Sequence, residues 1–171
     1  MFLEPLTPAE DGALPGPLLT ELTALYASNH AFFALSGDFP DPYDIRAEQV
    51  ARALADELAV PGAQVLLARS EGRLVAVAVT LDQHPVRADD PDPWIGLLLV
   101  DARVQRAGWG RRAARAVEER FRAAGRTGVR LAVLANNPKG AAFWAALGYE
   151  VIDRRDDLGA GRPCTVLRKP L

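Results

Sequence analysis

The stretch "LLLVDARVQRAGWGRR", residues 97–112, holds an apolar strand-like run, a polar connection and a helix start. Leu97 to Val100 form the run, Gly108 and Gly110 lie in the connection, and the helix formers Arg112, Ala113 and Ala114 follow. The first N–H groups of a helix lack partners, and the helix dipole adds roughly half a positive charge there. Glycine lets backbone approach a ligand where a Cβ would intrude. The order strand, glycine loop, helix therefore suits a phosphate, with Arg106, Arg111 and Arg112 adding charge around it. A tight turn with Trp109 packed on the core accounts for the same residues, so this stretch alone leaves both readings open.

Outward from it, the hydrophobic period alternates between strand and helix. "FLEPL" reads as an edge strand because of Pro5. "TPAE" has capping-box spacing, with Thr7 as N-cap and Pro8 at the first helical position. "PLLTELTALYASNH" reads as one helix and "IRAEQVARALADELAV" as a second, separated by the loop "SGDFPDPYD". "QVLLARS" and "RLVAVAVTLD" form a hairpin through Glu71-Gly72, and "WIGLLLV" is a third strand of the run. The helix after Gly110 runs to about Ala124, with Ala114, Val117, Phe121 and Ala124 as its buried stripe. "GVRLAVLA", "YEVIDRR" and "CTVLRK" are strands, and "KGAAFWAALG" is a short helix. The order is strand, two helices, three strands, helix, strand, helix, two strands, which predicts an α/β fold with a mixed sheet.

A chain of 171 residues with 25% charged residues fits one ordinary globular domain, residues 1–171. No apolar run is long enough to span a membrane, and "MFLEPLTPAED" has no basic start, so a cytoplasmic protein is expected. One Cys and two His argue against a metal centre. Nine Arg between Arg103 and Arg130 face only Glu118 and Glu119, although the whole chain has a net charge of −2. Nucleic-acid binding through this Arg-rich helix ranks low, because the surplus lies beside a ready phosphate site. Three Ser residues, none in G-x-S-x-G, give no support to a hydrolase. No Walker sequence is present. Gly108 to Ala113 fit the dinucleotide fingerprint, but the strand stops well before Gly108 and the next strand lacks a ribose-binding acid.

The longer stretch resembles the acyl-CoA-binding motif of the GCN5-related N-acetyltransferase (GNAT) superfamily, [QR]-x-x-G-x-[GA], with Gln105, Gly108 and Gly110 in place. "NNPKGAAFWAALGYE" resembles the downstream motif of that family through Asn137, Phe143, Gly148 and Tyr149. Gly140 stands there for an Ala, and Trp144 for a frequent Tyr. Both motifs lie within residues 97–149; the first 60 residues carry topology only.

The resemblance implies a GNAT-like, mostly antiparallel sheet of about seven strands flanked by helices. It also implies an N-acetyltransferase that passes acetyl from acetyl-CoA to a primary amine of a small molecule or peptide. A degenerate acyl-CoA sensor is the alternative. The pyrophosphate would meet the backbone of Arg106, Ala107, Gly108, Trp109, Gly110 and Arg111, with Gln105 and Arg112 beside it. Pantetheine would lie along Leu98, Leu99 and Val100 in a V-shaped gap, and the Leu99 amide would polarise the thioester. Asn137 would touch pantetheine, and Phe143 and Trp144 would flank CoA. With Trp144 at the position of the acid Tyr, the thiol would leave without a dedicated acid, its pKa being about 8.5.

No Glu stands in "WIGLLLV", so base candidates come from elsewhere: His84, Asp82 and the loop residues Asp89, Asp90 and Asp92. The acceptor pocket would draw on Phe32, Phe33, Asp38, Phe39 and Tyr43, with Asp82 and the "RADDPDP" loop. Core packing is the competing role for the three Phe. Aromatics mixed with carboxylates suit a cationic amine. A homodimer is compatible with the resemblance.

Overall fold

The hairpin predicted at Glu71-Gly72 starts the sheet. Both residues have positive φ, 51° and 79°, as a two-residue turn between right-twisted strands requires. They join β2 (Ala63–Ser70) to β3 (Arg73–Leu81). The computed structural model describes residues 2–87 and 89–171; Met1, and Ala88 of the loop expected at the acceptor pocket, lie outside the described residues. The other strands are β1 (Leu3–Pro5), β4 (Trp94–Val100), β5 (Gly128–Leu134), β6 (Glu150–Asp156) and β7 (Pro163–Pro170). They form one seven-stranded sheet in the order β1-β2-β3-β4-β5-β7-β6. Only the β4–β5 pair is parallel.

Two cores sandwich the sheet. On one face α4 (Trp109–Ala123) and α5 (Pro138–Ala145) supply Ala114, Val117, Phe121 and Trp144, which pack with Ile95, Leu131, Val133 and Leu167. On the other, α1 (Gly16–Ser28), α2 (His30–Ser36) and α3 (Ala47–Leu58) supply Leu22, Leu25, Phe33, Val50 and Leu54, which pack with Val65, Val77, Val79 and Leu99. β3 is apolar on both faces, as its Val/Ala alternation predicts for a central strand.

Three expectations need correction. The first long helix is two: the Asn29 amide bonds the Tyr26 carbonyl three residues back, which ends α1, and α2 starts at His30. Thr7 caps no helix, because residues 7–12 make only turn bonds, such as Gly12 N–H to Ala9 O. Gly12 and Pro15 follow too soon for a nucleus to propagate. Ala124 is exposed where α4 ends, and Glu118 is buried in the stripe instead.

Candidate active site

β4 and β5 pair only at Trp94–Arg130 and Ile95–Leu131, then part. An extra residue in β4, Gly96, stands between the pairs Val79–Leu97 and Thr80–Ile95 and bends the strand away. The predicted gap thus opens beside Leu97 to Val100. Its register corrects one expectation. Asp101 N–H bonds Val75 O at 3.0 Å, so hydrogen bonding alternates to the pair Val77–Leu99. The Leu99 amide therefore belongs to the β3 ladder. The Leu98 N–H and C=O and the Val100 N–H point toward β5 instead.

At the open end the chain enters α4 through residues 105–108. Arg106 and Gly108 have left-handed φ of 68° and 83°, and Gly108 is the N-cap. The Gln105 amide bonds Ala102 O, and the Arg112 amide bonds Gly108 O. Between them the amides of Arg106, Ala107, Gly108, Trp109, Gly110 and Arg111 have no protein acceptor among the described residues. A Cβ added at Gly108 would meet nothing within 4 Å, so the space beside that residue is clear. Arg106, Arg111 and Arg112 are exposed around it, with Arg112 4.8 Å from the Trp109 ring centre. Backbone donors gathered in such a mouth at a helix N-terminus have the chemistry to hold an anion.

Gln105 braces the mouth from behind. Its Nε2 donates to Asn29 Oδ1 and to Val100 O, both at 3.1 Å. Asn29, buried at the α1–α2 junction, donates from Nδ2 to the same Val100 O at 3.1 Å and to Leu25 O at 2.9 Å. Asn29 thus fixes the end of β4 against α1, a role its place in the sequence does not announce. The Val100 carbonyl is fully engaged, which leaves its N–H on the gap side.

The second motif closes the other wall. Asn137 is the N-cap of α5, its Oδ1 accepting from the Gly140 amide at 2.9 Å. A Cβ at Gly140 would fall 2.6 Å from Asn137 Nδ2, so glycine there gives the Asn side chain its room. Phe143 is half-buried, and its ring would lie 3.2 Å from a Cβ at Gly110. That contact seats α5 against the mouth of α4. Trp144 lies elsewhere: it is core, edge-on to Tyr149 and Phe143, and does not face the mouth.

The comparisons with known proteins match this geometry. The sequence profile of the acetyltransferase (GNAT) family matches residues 25–149, which spans the gap, the mouth and α5. The chain belongs to the GNAT acetyltransferase family. Among solved structures, an acetyltransferase from Thermus thermophilus is 26% identical with a TM-score of 0.68, over 100% of this chain and 98% of that one. The ribosomal-protein-S18-alanine N-acetyltransferase from Escherichia coli is 18% identical (TM-score 0.64, 99% and 92% covered). An aminoglycoside 6'-N-acetyltransferase complexed with coenzyme A is 14% identical (TM-score 0.65, 99% and 97% covered). No curated protein sequence matches the chain. As a GNAT member it is an acyl-CoA-dependent acetyltransferase, and no cluster of metal-ligating side chains occurs among the described residues.

The GNAT frame separates the acid–base and acceptor candidates. His84 packs edge-on to Trp94 at 5.2 Å, at the start of β4. Leu98 is four residues further along, about 13 Å at ~3.3 Å per residue, so His84 is remote from the gap peptides. Its Nδ1 accepts from the amides of Val86 and Arg87, which places the remaining proton on Nε2. Burial lowers its pKa, and the charges of Arg155 and Arg87 add to that against the pull of Asp90 and Asp89.

The unfolded chain therefore takes up the His84 proton at higher pH than the fold does, so stability falls as pH drops below the ordinary histidine value. His84→Ala is expected to flatten that acid-side loss in a thermal unfolding series and to leave the pH–rate profile unchanged. A shifted profile would restore His84 as a base.

Asp82 is exposed by the C-terminal half of α4, in a groove of about 380 Å³ with Gln64, Thr80 and Phe121, on the face opposite α2. Asp90 is buried among Arg87, Arg130 and Arg155. Asp92 bonds Arg130 at 2.9 Å and Arg168 at 2.8 Å. Burial opposes its ionisation, but Arg168 and Arg130 outweigh this and hold its carboxyl below the usual range. Asp89 is exposed on Arg87. Through these ion pairs Asp89, Asp90 and Asp92 secure the β3–β4 loop. In the core Phe33 stacks on Tyr26 and Phe39 meets it edge-on, Tyr43 is exposed against His30, and Phe32 is half-buried.

Proposed function

We propose that this acetyltransferase passes acetyl from acetyl-CoA to a primary amine of a small molecule or peptide by direct attack in a ternary complex. The observation that carries this is the run of unpartnered amides, Arg106 to Arg111, opening beside the β4–β5 gap. The amides hold the pyrophosphate, with Arg106, Arg111 and Arg112 supplying charge. Pantetheine runs into the gap along the Leu98 peptide, with Asn137 and Phe143 on its other side. The thioester carbonyl meets the gap-facing N–H of Leu98 or Val100, in place of Leu99, and either amide stabilises the forming oxyanion. The amine nitrogen attacks that carbonyl carbon, the C–S bond breaks, and the amine's surplus proton goes to water. The thiol leaves as thiolate, so neither Trp144 nor Tyr149 is needed as acid. Burial, with Glu118 beside it, raises the Tyr149 hydroxyl well above its usual pKa.

Thermal unfolding with acetyl-CoA, NADH or ATP tests the reading. At about 100 times its dissociation constant, acetyl-CoA contributes roughly 2.7 kcal/mol. At roughly 2–4 °C per kcal/mol for a domain of this size, the midpoint should rise by several degrees. NADH and ATP should leave it unmoved, and amines should release CoA from the acetyl-CoA complex. A rise with NADH alone, or none with acetyl-CoA, overturns the assignment of the mouth. A rise with acetyl-CoA but no CoA release across a broad amine panel overturns the transfer step.

A further inference from the structure

The short helix α2 crosses the open end of the gap and is pinned on three posts. At its start, Asn29 Nδ2 donates to Val100 O, at the end of β4. At its end, Asn136 Nδ2, just past β5, donates to Leu35 O at 3.2 Å. Beyond that, Arg162 in the β6–β7 connection donates from Nη1 to Ser36 O at 2.7 Å and to Asp38 Oδ1 at 2.9 Å.

α2 lies on the face opposite α4 and α5. On the acetyl-transfer reading, a donor that enters from the α4 mouth through the gap brings its acyl group to the α2 side of the sheet. Inward, α2 presents Phe33 to the core and keeps Phe32 half-buried; Ala31, Ala34 and Leu35 face out. On the β7 side the connection is made by one residue, Arg162. Its Nε is held by Asp157 Oδ2 at 2.6 Å within its own hairpin, while Nη1 takes the two α2-side acceptors. A planar guanidinium can satisfy both sides at once; an ammonium cannot reproduce that fork.

We propose that Arg162 is a specificity-determining residue, the latch that holds α2 down and limits the girth of the amine admitted beneath it. This rests on the acetyl-transfer reading above. Slender primary amines pass the latched roof, and amines carrying a fused aromatic ring are excluded by it. Releasing the latch widens the entry without touching the α4 mouth, so acyl-donor affinity stays as it was.

The test compares CoA release from acetyl-CoA with two probe amines, hydroxylamine and 1-naphthylmethylamine, in the wild type, Arg162→Ala, Arg162→Lys and Asp38→Asn. In Arg162→Ala, which loses both α2-side hydrogen bonds, kcat/KM for the naphthyl amine relative to hydroxylamine should rise about tenfold or more. The acetyl-CoA thermal shift should be unchanged. Asp38→Asn, which leaves Arg162 on Ser36 O, should move the ratio the same way by less, and it keeps the test alive if the alanine variant fails to fold. Arg162→Lys should fall between the wild type and alanine. An unchanged ratio in Arg162→Ala or Asp38→Asn, with the acetyl-CoA shift intact, overturns the latch. Loss of that shift in the wild type overturns the acetyl-transfer reading instead.

Discussion

Replacing Gly108 with valine is expected to weaken acetyl-CoA binding by about 100-fold, the equivalent of roughly 2.7 kcal/mol. Gly108 adopts φ of 83°, where a β-branched residue is strained by about 1–3 kcal/mol. The space above it is clear of protein, and on the proposed reading a valine side chain would enter the volume that the pyrophosphate takes. Charge-assisted hydrogen bonds contribute about 1.5–3 kcal/mol each, so displacing one of them accounts for the loss. Gly12→Val is the control: Gly12 has φ of 79°, also meets nothing within 4 Å, and lies in the turn before α1, away from the mouth. Isothermal titration of both variants separates strain from occlusion. Equal weakening in the two would show that Gly108 matters only for its backbone angle.

The second large effect is on stability. Glu118 is 2% exposed within α4, and Lys169 of β7 donates to its Oε2 at 2.8 Å while Tyr149 OH donates to Oε1 at 3.1 Å. Arg122 stands further off at 3.8 Å. Lys169→Met strips the carboxylate of its near cation and leaves a buried charge, which costs about 3 kcal/mol or more. At roughly 2–4 °C per kcal/mol the midpoint should fall by about 6–12 °C. Glu118→Gln combined with Lys169→Met removes both charges and should recover most of that loss. If the single variant melts with the wild type, the pair contributes nothing and α4 is held by Val117 and Phe121 alone.

These two predictions stand at different distances from the sequence. The turn into α4 at Gly108 is legible because a left-handed backbone leaves a residue-type trace: glycine is the residue that adopts it without strain. The sequence also points to a gap beside Leu98 to Val100, but not to the choice of amide. Which peptide faces the gap depends on strand register, and a shift of one residue exchanges every N–H between the two sides. Asn29 and Arg162 are invisible as posts for a related reason. Their partners are backbone carbonyls of Val100 and Ser36, and a carbonyl carries no residue signature. In the sequence Glu118 is one more charge on an Arg-rich helix, since nothing local shows that Tyr149 and Lys169 converge on it. Trp144 has a motif position that suggests contact with CoA, and the fold turns that position inward. His84 and the Asp residues of the β3–β4 loop have suitable chemistry, and the sheet sets them at the wrong end of β4 or among arginines.

The strand order has a consequence for biosynthesis. β7 lies between β5 and β6, although it follows both in the chain. β1 to β4 and their three helices can pair as soon as residue 100 has been made, each strand beside its predecessor. β5 and β6 have no ladder between them until residues 163–170 slide in and bond to both. During synthesis the sheet is therefore half-built, with its β5 edge open, until β7 arrives, and the apolar row Val129, Leu131 and Val133 must wait for Leu167. That interval is when the nascent chain is most exposed to edge-to-edge association.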